Sequence, residues 1–275
     1  MGRSLSFALR RGARLARAPL FLSLLVVLGL PAWPAVAQAS AQTSVQTSAQ
    51  VSAQVSAQVL PAVRTGGATY RILDNGTPIG IATSSVEAET EPDVEGWVIR
   101  GSSFMGGRFG LTVRRFEAHY DRLWRARFAT MELATPAESL VAHTAINGGR
   151  ARTEVVQPDR EAIWGANTVS PDTIVIPDMV FSAYEALAAR LATARPGTEL
   201  PVYVLPLGEI RLRLDSVSPE GVTTAAGPLA TRRWKLAFLT ASRESPAEVW
   251  EAGGRLVRVD MAIDRISVIR SDITP

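Results

Sequence analysis

The sequence lacks cysteine, and among its 275 residues it has a single lysine, Lys235, and two histidines, His119 and His143. Without cysteine the protein has no disulfides, no thiolate nucleophile and no cysteine-ligated metal. The two histidines do not occur in a His-x-His or Glu-x-x-His pattern, so metal-ligand spacing is missing as well. We therefore expect stability to come from a hydrophobic core, and we expect neither a metal nor another cofactor.

No apolar run reaches the roughly 20 residues that a membrane-spanning helix needs. The run Pro19–Leu30 follows five arginines and precedes Ala35-Val36-Ala37, a small-x-small cleavage signal. This order is typical of a secretory signal peptide. Residues 1–37 are therefore predicted to be removed, with an uncleaved anchor as the alternative. The protein is then periplasmic or secreted, with no stable membrane span after processing.

The excess of positive charge belongs to this leader. Residues 1–37 contain five arginines and no acidic residue, so their removal changes the net charge from +3 to −2, with 24 Lys+Arg against 26 Asp+Glu. A weakly acidic mature chain does not favour nucleic acid or an anionic membrane as a partner.

A tetrapeptide repeat follows the leader. Ser40–Val59 is a fivefold repeat of the Ser-Ala-Gln-Val type without a charged or aromatic residue. Such a segment cannot bury enough apolar surface to fold alone, which predicts a disordered low-complexity linker over residues 38–66. The alternation of Ala or Val with Ser or Gln also matches the period of a strand, so an extended segment is the alternative.

Residues 67–275 are predicted to form a mainly β domain. Asp74-Asn75-Gly76 and Asn147-Gly148-Gly149 are tight-turn signals between apolar segments, because Asn and Gly tolerate positive φ, and they predict β-hairpins. In Arg211–Asp215 apolar and charged residues alternate, which indicates a strand with one buried face. The short spacing between strands favours an antiparallel arrangement.

One segment has the period of a helix. Between residues 178 and 194, Val180, Tyr184, Leu187 and Leu191 fall on one stripe, and Arg195-Pro196-Gly197 is a stop signal. The cap is left open between Asp178 and a capping box at Ser182–Glu185. The order strands, helix, strands predicts a mainly β or α+β fold, in which one main helix packs on a curved antiparallel sheet, a half-barrel.

A helix against the concave face of such a sheet can leave an apolar cavity. Aromatic side chains from the strands and the helix would line it, together with one inward-facing arginine of a basic doublet. On this basis the candidate ligand-binding residues are Trp124, Trp234, Tyr184 and Arg114.

Catalytic chemistry has little support in the sequence. A Gly-x-Ser-x-Gly nucleophile motif is absent. His119 is a candidate for proton transfer, with Asp121 as the carboxylate that orients it. Because half-exposed strand histidines are common, the structural interpretation is preferred and no catalytic residue is assigned.

Several segments resemble a known group of proteins. Tyr70–Gly80, Tyr184–Leu191, Pro196–Pro201, Val249–Arg258 and Ile269–Asp272 are similar to uncharacterised exported bacterial β-domains. Such domains occur alone or upstream of secreted α/β-hydrolase-type peptidases. More distantly they resemble the periplasmic lipoprotein-carrier half-barrel, which implies a curved sheet and acyl chains as a ligand class. No functional residue is carried over from either group.

Three functions follow as hypotheses. The first is an exported, non-enzymatic binding protein that holds an apolar ligand or lipid in the concavity of the sheet. The second is an interaction or assembly module that binds an envelope protein, with the repeat as its tether. The third is a hydrolase that uses His119 with Asp121.

Overall fold

A computed structural model describes residues 65–91 and 94–273. The predicted signal peptide and linker residues 38–64 lie outside the described residues. The described part consists mostly of strands with one short helix, which confirms the predicted fold class. The strands are β1 (Gly66–Asp74), β2 (Thr77–Glu91), β3 (Val94–Met105), β4 (Leu111–Asp121), β5 (Ala126–Ala134), β6 (Ser139–Asn147), β7 (Arg150–Val156), β8 (Ile163–Thr168), β9 (Ile174–Val175), β10 (Glu199–Val204), β11 (Gly208–Thr224), β12 (Gly227–Leu239), β13 (Glu244–Ala252), β14 (Arg255–Met261) and β15 (Ile266–Arg270).

All fifteen strands belong to one sheet, in the order β8-β7-β6-β5-β4-β3-β2-β1-β15-β14-β13-β12-β11-β10-β9. Within β1–β8 and within β10–β15, each strand pairs antiparallel with its neighbour in sequence. The two halves join where β1 pairs with β15, with Tyr70 opposite Arg270. The short β9 is the exception, because it pairs parallel to β10.

The turn signals lie where the sequence predicts them. Asn75 (φ 51°) and Gly76 (φ 81°) connect β1 to β2, and Gly148 (φ 56°) and Gly149 (φ 75°) connect β6 to β7. Positive φ at successive positions is what a two-residue hairpin turn requires. Trp124, one of the candidate ligand-binding residues, lies in the turn before β5 with φ 62°.

The helix is shorter than predicted. A 3₁₀ turn at Phe181–Ala183 leads into α1 (Tyr184–Leu191). Met179 has φ 58°, a left-handed conformation that is incompatible with a helix starting at residue 178. No side chain caps the N-terminus of α1, so neither predicted cap forms. No helix among residues 65–91 and 94–273 is long and apolar enough to cross a membrane.

The sheet curls around α1, so that its inner face packs on the helix. Every residue of α1 except Arg190 is buried, including the small Ala186 and Ala189 outside the predicted stripe. A Cβ on Gly101 of β3 would lie 2.3 Å from the Cβ of Ser182, so the absence of a side chain there lets the 3₁₀ turn approach the sheet.

The two ends of the sheet meet through side chains. The Tyr203 hydroxyl on β10 lies 3.0 Å from the Thr153 hydroxyl on β7 and accepts a hydrogen bond of 3.1 Å from Asn167 on β8. Thr153 also contacts the Thr144 hydroxyl at 2.8 Å. These buried polar groups satisfy one another, which stabilises the curl without a strand ladder between β8 and β9.

Candidate functional site

The interior contains a buried carboxylate, Glu185 of α1, which is 0% exposed. Its Oε1 accepts hydrogen bonds from the hydroxyls of Tyr70 and Ser84, both 2.7 Å, and from Arg255 Nη2 at 3.1 Å. Its Oε2 accepts from Arg255 Nε at 2.9 Å and from the backbone N–H of Leu256 at 3.0 Å. Burial, and then the neighbouring Glu185 charge, raise the pKa of Tyr70 well above its usual value. The helix is therefore fixed to β1, β2 and β14 by polar contacts.

The C-terminal end of α1 is held in a similar way. Arg232 Nη2 donates to the carbonyls of Ala192 at 2.8 Å and Leu191 at 3.4 Å, and Arg232 also pairs with the buried carboxylate of Glu251. A cation at this end complements the helix dipole. Glu185 near the start of α1 and the carbonyl groups at its end are thus both held by hydrogen bonds within the protein.

The predicted ligand-binding residues lie in different places. Trp234 (0% exposed), Trp124 (3%) and Tyr184 (5%) are core residues, whereas Arg114 is exposed and donates to Glu132 at 3.1 Å. No hydrogen bond, ion pair or ring contact within the described residues joins any two of the four. The helix and its neighbouring side chains occupy the concavity in which these residues were expected to bind a ligand.

A shallow hollow of about 300 Å³ lies instead on the outer face of the sheet, lined by Glu89, His119, Arg127 and Phe128. Glu89 accepts from His119 Nδ1 at 2.9 Å through one oxygen and from Arg127 Nη2 at 2.6 Å through the other. The Phe128 ring meets the His119 ring edge to face, with 5.9 Å between centroids. The hollow is thus lined by the Phe128 ring on one side and by the hydrogen-bonded side chains of Glu89, His119 and Arg127 on the other.

His119 is held by two carboxylates. Its Nε2 lies 3.0 Å from Glu117 Oε1, opposite the Nδ1 contact with Glu89. Both ring nitrogens of His119 thus have a carboxylate within hydrogen-bond distance. Asp121 is engaged elsewhere, because its Oδ1 accepts from the backbone N–H groups of Leu123 and Arg125. The structure does not place Asp121 as the partner of His119.

Glu117 is part of a wider network of charges. Burial alone would raise the pKa of its carboxyl group, but hydrogen bonds from Arg115, His119 and Arg100 outweigh this and lower the pKa to about 2. Arg100 also donates to Glu87 at 2.6 Å. The outer face of β2–β4 therefore carries ionised side chains that already have partners.

A second hollow, of about 410 Å³, shares Glu89 with the first and includes Trp97, Glu95 and Arg122. The Trp97 ring stacks on Trp124, with 5.1 Å between centroids and an interplanar angle of 3°. The buried Trp97 Nε1 and Arg127 Nε have no hydrogen-bond partner within the described residues. Two unsatisfied donors therefore flank Glu89, one beside each hollow.

A third group of ionisable side chains lies at the entry to the 3₁₀ turn. Burial, and then the neighbouring Asp264 charge, raise the pKa of Asp178 to about 6. Burial, and then the charges of Asp178 and Asp264, raise the pKa of Tyr184 as well. In the part of the chain that the structure describes, no three acidic or histidine side chains are arranged to hold a metal ion.

Sequence reasoning identified His119 but missed its partners Glu89 and Glu117. Glu117 and His119 both lie on β4, and alternation alone places them on the same face. Glu89 lies on β2, which is separated from β4 by β3, so that only the registers of β2 with β3 and of β3 with β4 bring it to His119. A pairing of Glu117 with His119 was thus accessible from the sequence, whereas the contact with Glu89 was not.

Comparison with known proteins assigns no family. No protein-family model and no curated protein matches the chain. Among solved structures it is similar to a Bacteroides fragilis protein described as exported with a YmcC-like fold, at 10% sequence identity. The match covers 78% of this chain and 97% of the other, with a TM-score of 0.32. The resemblance to hydrolase-associated domains and lipoprotein carriers finds no support in these comparisons.

Proposed function

We propose that the chain is an exported, non-enzymatic interaction module of the cell envelope that binds its partner on the outer face of the sheet, around Glu89. The observation that carries this proposal is the position of the hollows. Inside, the helix packs in the concavity and its carboxylate has a full set of donors. Outside, two adjacent hollows share Glu89, and one of them carries the exposed ring of Phe128.

The chemistry of these hollows describes the partner. Phe128 is 36% exposed at one side, and the charged side chains around it are paired with one another. A protein segment that offers an apolar side chain to Phe128 would fit this surface. Charge attraction contributes little, because the local carboxylates already have cationic partners.

Site-specific photocrosslinking in cells tests the proposal. A photoreactive phenylalanine analogue replaces Phe128 in one variant and Ile263, exposed in the turn between β14 and β15, in the control variant. We expect a discrete crosslinked species from position 128 and none from position 263. The same pattern of crosslinks from both positions, or no crosslink from position 128, would contradict the proposal.

The repeat supports the same function as a tether. Deletion of residues 40–59 shortens the chain between the predicted cleavage site and β1 without touching the described fold. If an envelope component holds the N-terminal end of the repeat, the repeat raises the local concentration of the domain, and we then expect the crosslink from position 128 to persist with purified components but to weaken in cells. An unchanged yield in cells would count against the tether.

An apolar ligand or lipid inside the sheet is the second candidate function. The observation that favours it is the buried Trp234 Nε1, which has no hydrogen-bond partner within the described residues and faces an apolar core. Entry of a ligand would require α1 to move, and therefore the contacts of Glu185 to break. Native mass spectrometry of the exported chain should then detect co-purified lipid, and an empty protein that also fails to take up a fluorescent fatty acid would exclude this function.

The non-enzymatic part of the proposal is supported by the contacts of His119. Both of its ring nitrogens meet carboxylates, and Asp121 accepts from the backbone of a turn. If the chain were instead a hydrolase, turnover in a substrate screen would disappear in His119→Ala while the melting curve stayed unchanged. That result would contradict the non-enzymatic function and favour the hydrolase.

A further inference from the structure

The hollow of about 410 Å³ that contains Trp97 lies where the end of β2, the start of β3 and the β4–β5 turn come together. Its volume is at the lower end of the range of small-molecule sites, about 300–1,000 Å³. An aromatic ring and several polar side chains border the same space, and this is the combination by which such sites hold and orient a ligand. The hollow therefore has the size and the composition of a small-molecule site.

The Trp97 ring is held in place by other aromatic side chains. It stacks on Trp124, with 5.1 Å between centroids and an interplanar angle of 3°, and Trp124 in turn contacts the Tyr120 ring at 5.7 Å. Trp124 is not among the residues that line the hollow, so Trp97 borders the hollow with the side turned away from this stack. A flat surface that is already fixed in position loses little entropy when a ligand binds to it.

Ala88 leaves that side of the ring uncovered. It lies directly opposite Trp97 in the pairing of β2 with β3, and it is exposed. Side chains directly opposite each other in an antiparallel pair have Cβ atoms about 4.5–5.5 Å apart, so a larger residue at position 88 would lie against the ring. The small side chain of Ala88 thus keeps the space beside Trp97 open.

The polar side chains around the hollow already have partners of opposite charge. Arg122 pairs with Glu95. The two oxygens of Glu89 accept from His119 and Arg127. A guanidinium group has five N–H donors and an ionised carboxylate has about four lone-pair positions, so these groups retain capacity for further hydrogen bonds. An ionic ligand would have to displace one of the existing partners, whereas a neutral ligand with hydroxyl groups can bind beside them.

A flat aromatic surface with a polar rim fits an amphipathic ligand. A pyranose sugar has one side formed by C–H groups and carries hydroxyl groups around its edge. The C–H groups have a small positive charge, which the negative face of an aromatic ring attracts. A purely apolar group on Trp97 would instead remove the polar rim from water without replacing its hydrogen bonds, which costs free energy.

We propose that this hollow binds a neutral saccharide of about one or two sugar rings. One ring stacks on Trp97, and its hydroxyl groups bond to Glu95 and Arg122. Thr90, exposed in the same hollow, offers a further hydroxyl group. A contact of this size gives Kd on the order of 1 mM for a single sugar ring. The inference goes beyond the proposed function, whose test depends on Phe128 in the other hollow, so that either can fail without the other.

A glycan array followed by isothermal titration calorimetry tests the proposal. The array carries neutral oligosaccharides from bacterial envelope polymers and from soluble storage sugars, together with uronic-acid and amino-sugar counterparts of the same linkage. We expect the exported chain to bind neutral saccharides with Kd at least about tenfold lower than for the charged counterparts. Binding of either neutral class supports the proposal and identifies the source of the ligand. No binding of any saccharide at about 50 mM, or a preference for the charged counterparts, would overturn it.

Two variants locate the site. Ala88→Phe covers the ring from an exposed position and Trp97→Ala removes it, and we expect each to raise Kd at least about tenfold. The matched control is Trp164→Ala, which removes a 70% exposed ring on β8 and should leave Kd within about twofold of the wild type. Circular dichroism and melting temperature verify that each variant is folded, and Ala88→Phe alone decides if Trp97→Ala does not fold. An unchanged Kd in folded Ala88→Phe would overturn the proposal, since another surface would then bind the saccharide.

Discussion

Replacing Glu185 with Gln should destabilise the protein by about 3–5 kcal/mol, because the change leaves buried donors without an acceptor. The carboxylate accepts five hydrogen bonds, from Tyr70, Ser84, Leu256 and twice from Arg255. An amide group has one oxygen, so at least two donors would face an N–H group in either orientation. Each unsatisfied buried donor costs about 1–3 kcal/mol, and the Arg255 charge loses its buried counter-ion. The side-chain volume hardly changes, which separates this effect from cavity formation.

Urea unfolding followed by tryptophan fluorescence measures the effect. With a slope of about 2–3 kcal/mol per molar urea, the midpoint of Glu185→Gln should fall by more than about 1 M. The matched control is Glu132→Gln, whose carboxylate pairs with exposed Arg114 and whose loss should cost less than about 0.5 kcal/mol. If Glu185→Gln fails to fold, Tyr70→Phe removes a single donor and should cost about 1 kcal/mol. Equal midpoints for Glu185→Gln and its control would refute the reasoning.

Three other substitutions test the packing of Leu187, the protonation of Asp178 and the close approach of the 3₁₀ turn to Gly101. Leu187→Ala truncates a fully buried helix residue and should lower the free energy of unfolding by about 2–5 kcal/mol in urea titrations. Asp178 keeps its proton to about pH 6 when folded but only to about 3.8 when unfolded, so stability falls as pH rises through this window. Asp178→Asn should therefore be about 1–3 kcal/mol more stable than wild type near pH 7.5 and equal to it near pH 3.5, and a constant difference at all pH values would contradict this. Gly101→Ala should lower the melting temperature, whereas Gly221→Ala, where an added Cβ meets nothing within 4 Å, should leave it nearly unchanged.

Local patterns predicted the strands and turns well because their causes are local. Asn75-Gly76 and Gly148-Gly149 adopt positive φ whatever the rest of the chain does. The alternation at Arg211–Asp215 also corresponds to β11, in which Leu212 and Leu214 are buried. Such features depend on a few neighbouring residues, and a single sequence contains them.

The helix and the candidate site depended on contacts distant in sequence. Glu185 looked like half of a capping box, but its partners are on β1, β2 and β14, and no local pattern connects it with Arg255. The left-handed conformation of Met179, which shortens the helix, has no signal in the local pattern either. The sequence left open whether the interior is a cavity or is filled, because the packing of the helix against the sheet depends on residues that a single hydrophobic stripe does not indicate.

The pairing of β1 with β15 gives vectorial folding a particular order of events. A chain that crosses a membrane with its N-terminus first delivers β1 to β8 early, and each of these strands finds its partner in the segment just delivered. One edge of β1, by contrast, stays unpaired until residues 266–270 are delivered, after the other described strands. During that interval a strand in the centre of the future sheet is available to other chains. Loss of β15 by truncation or proteolysis would make this transient state permanent.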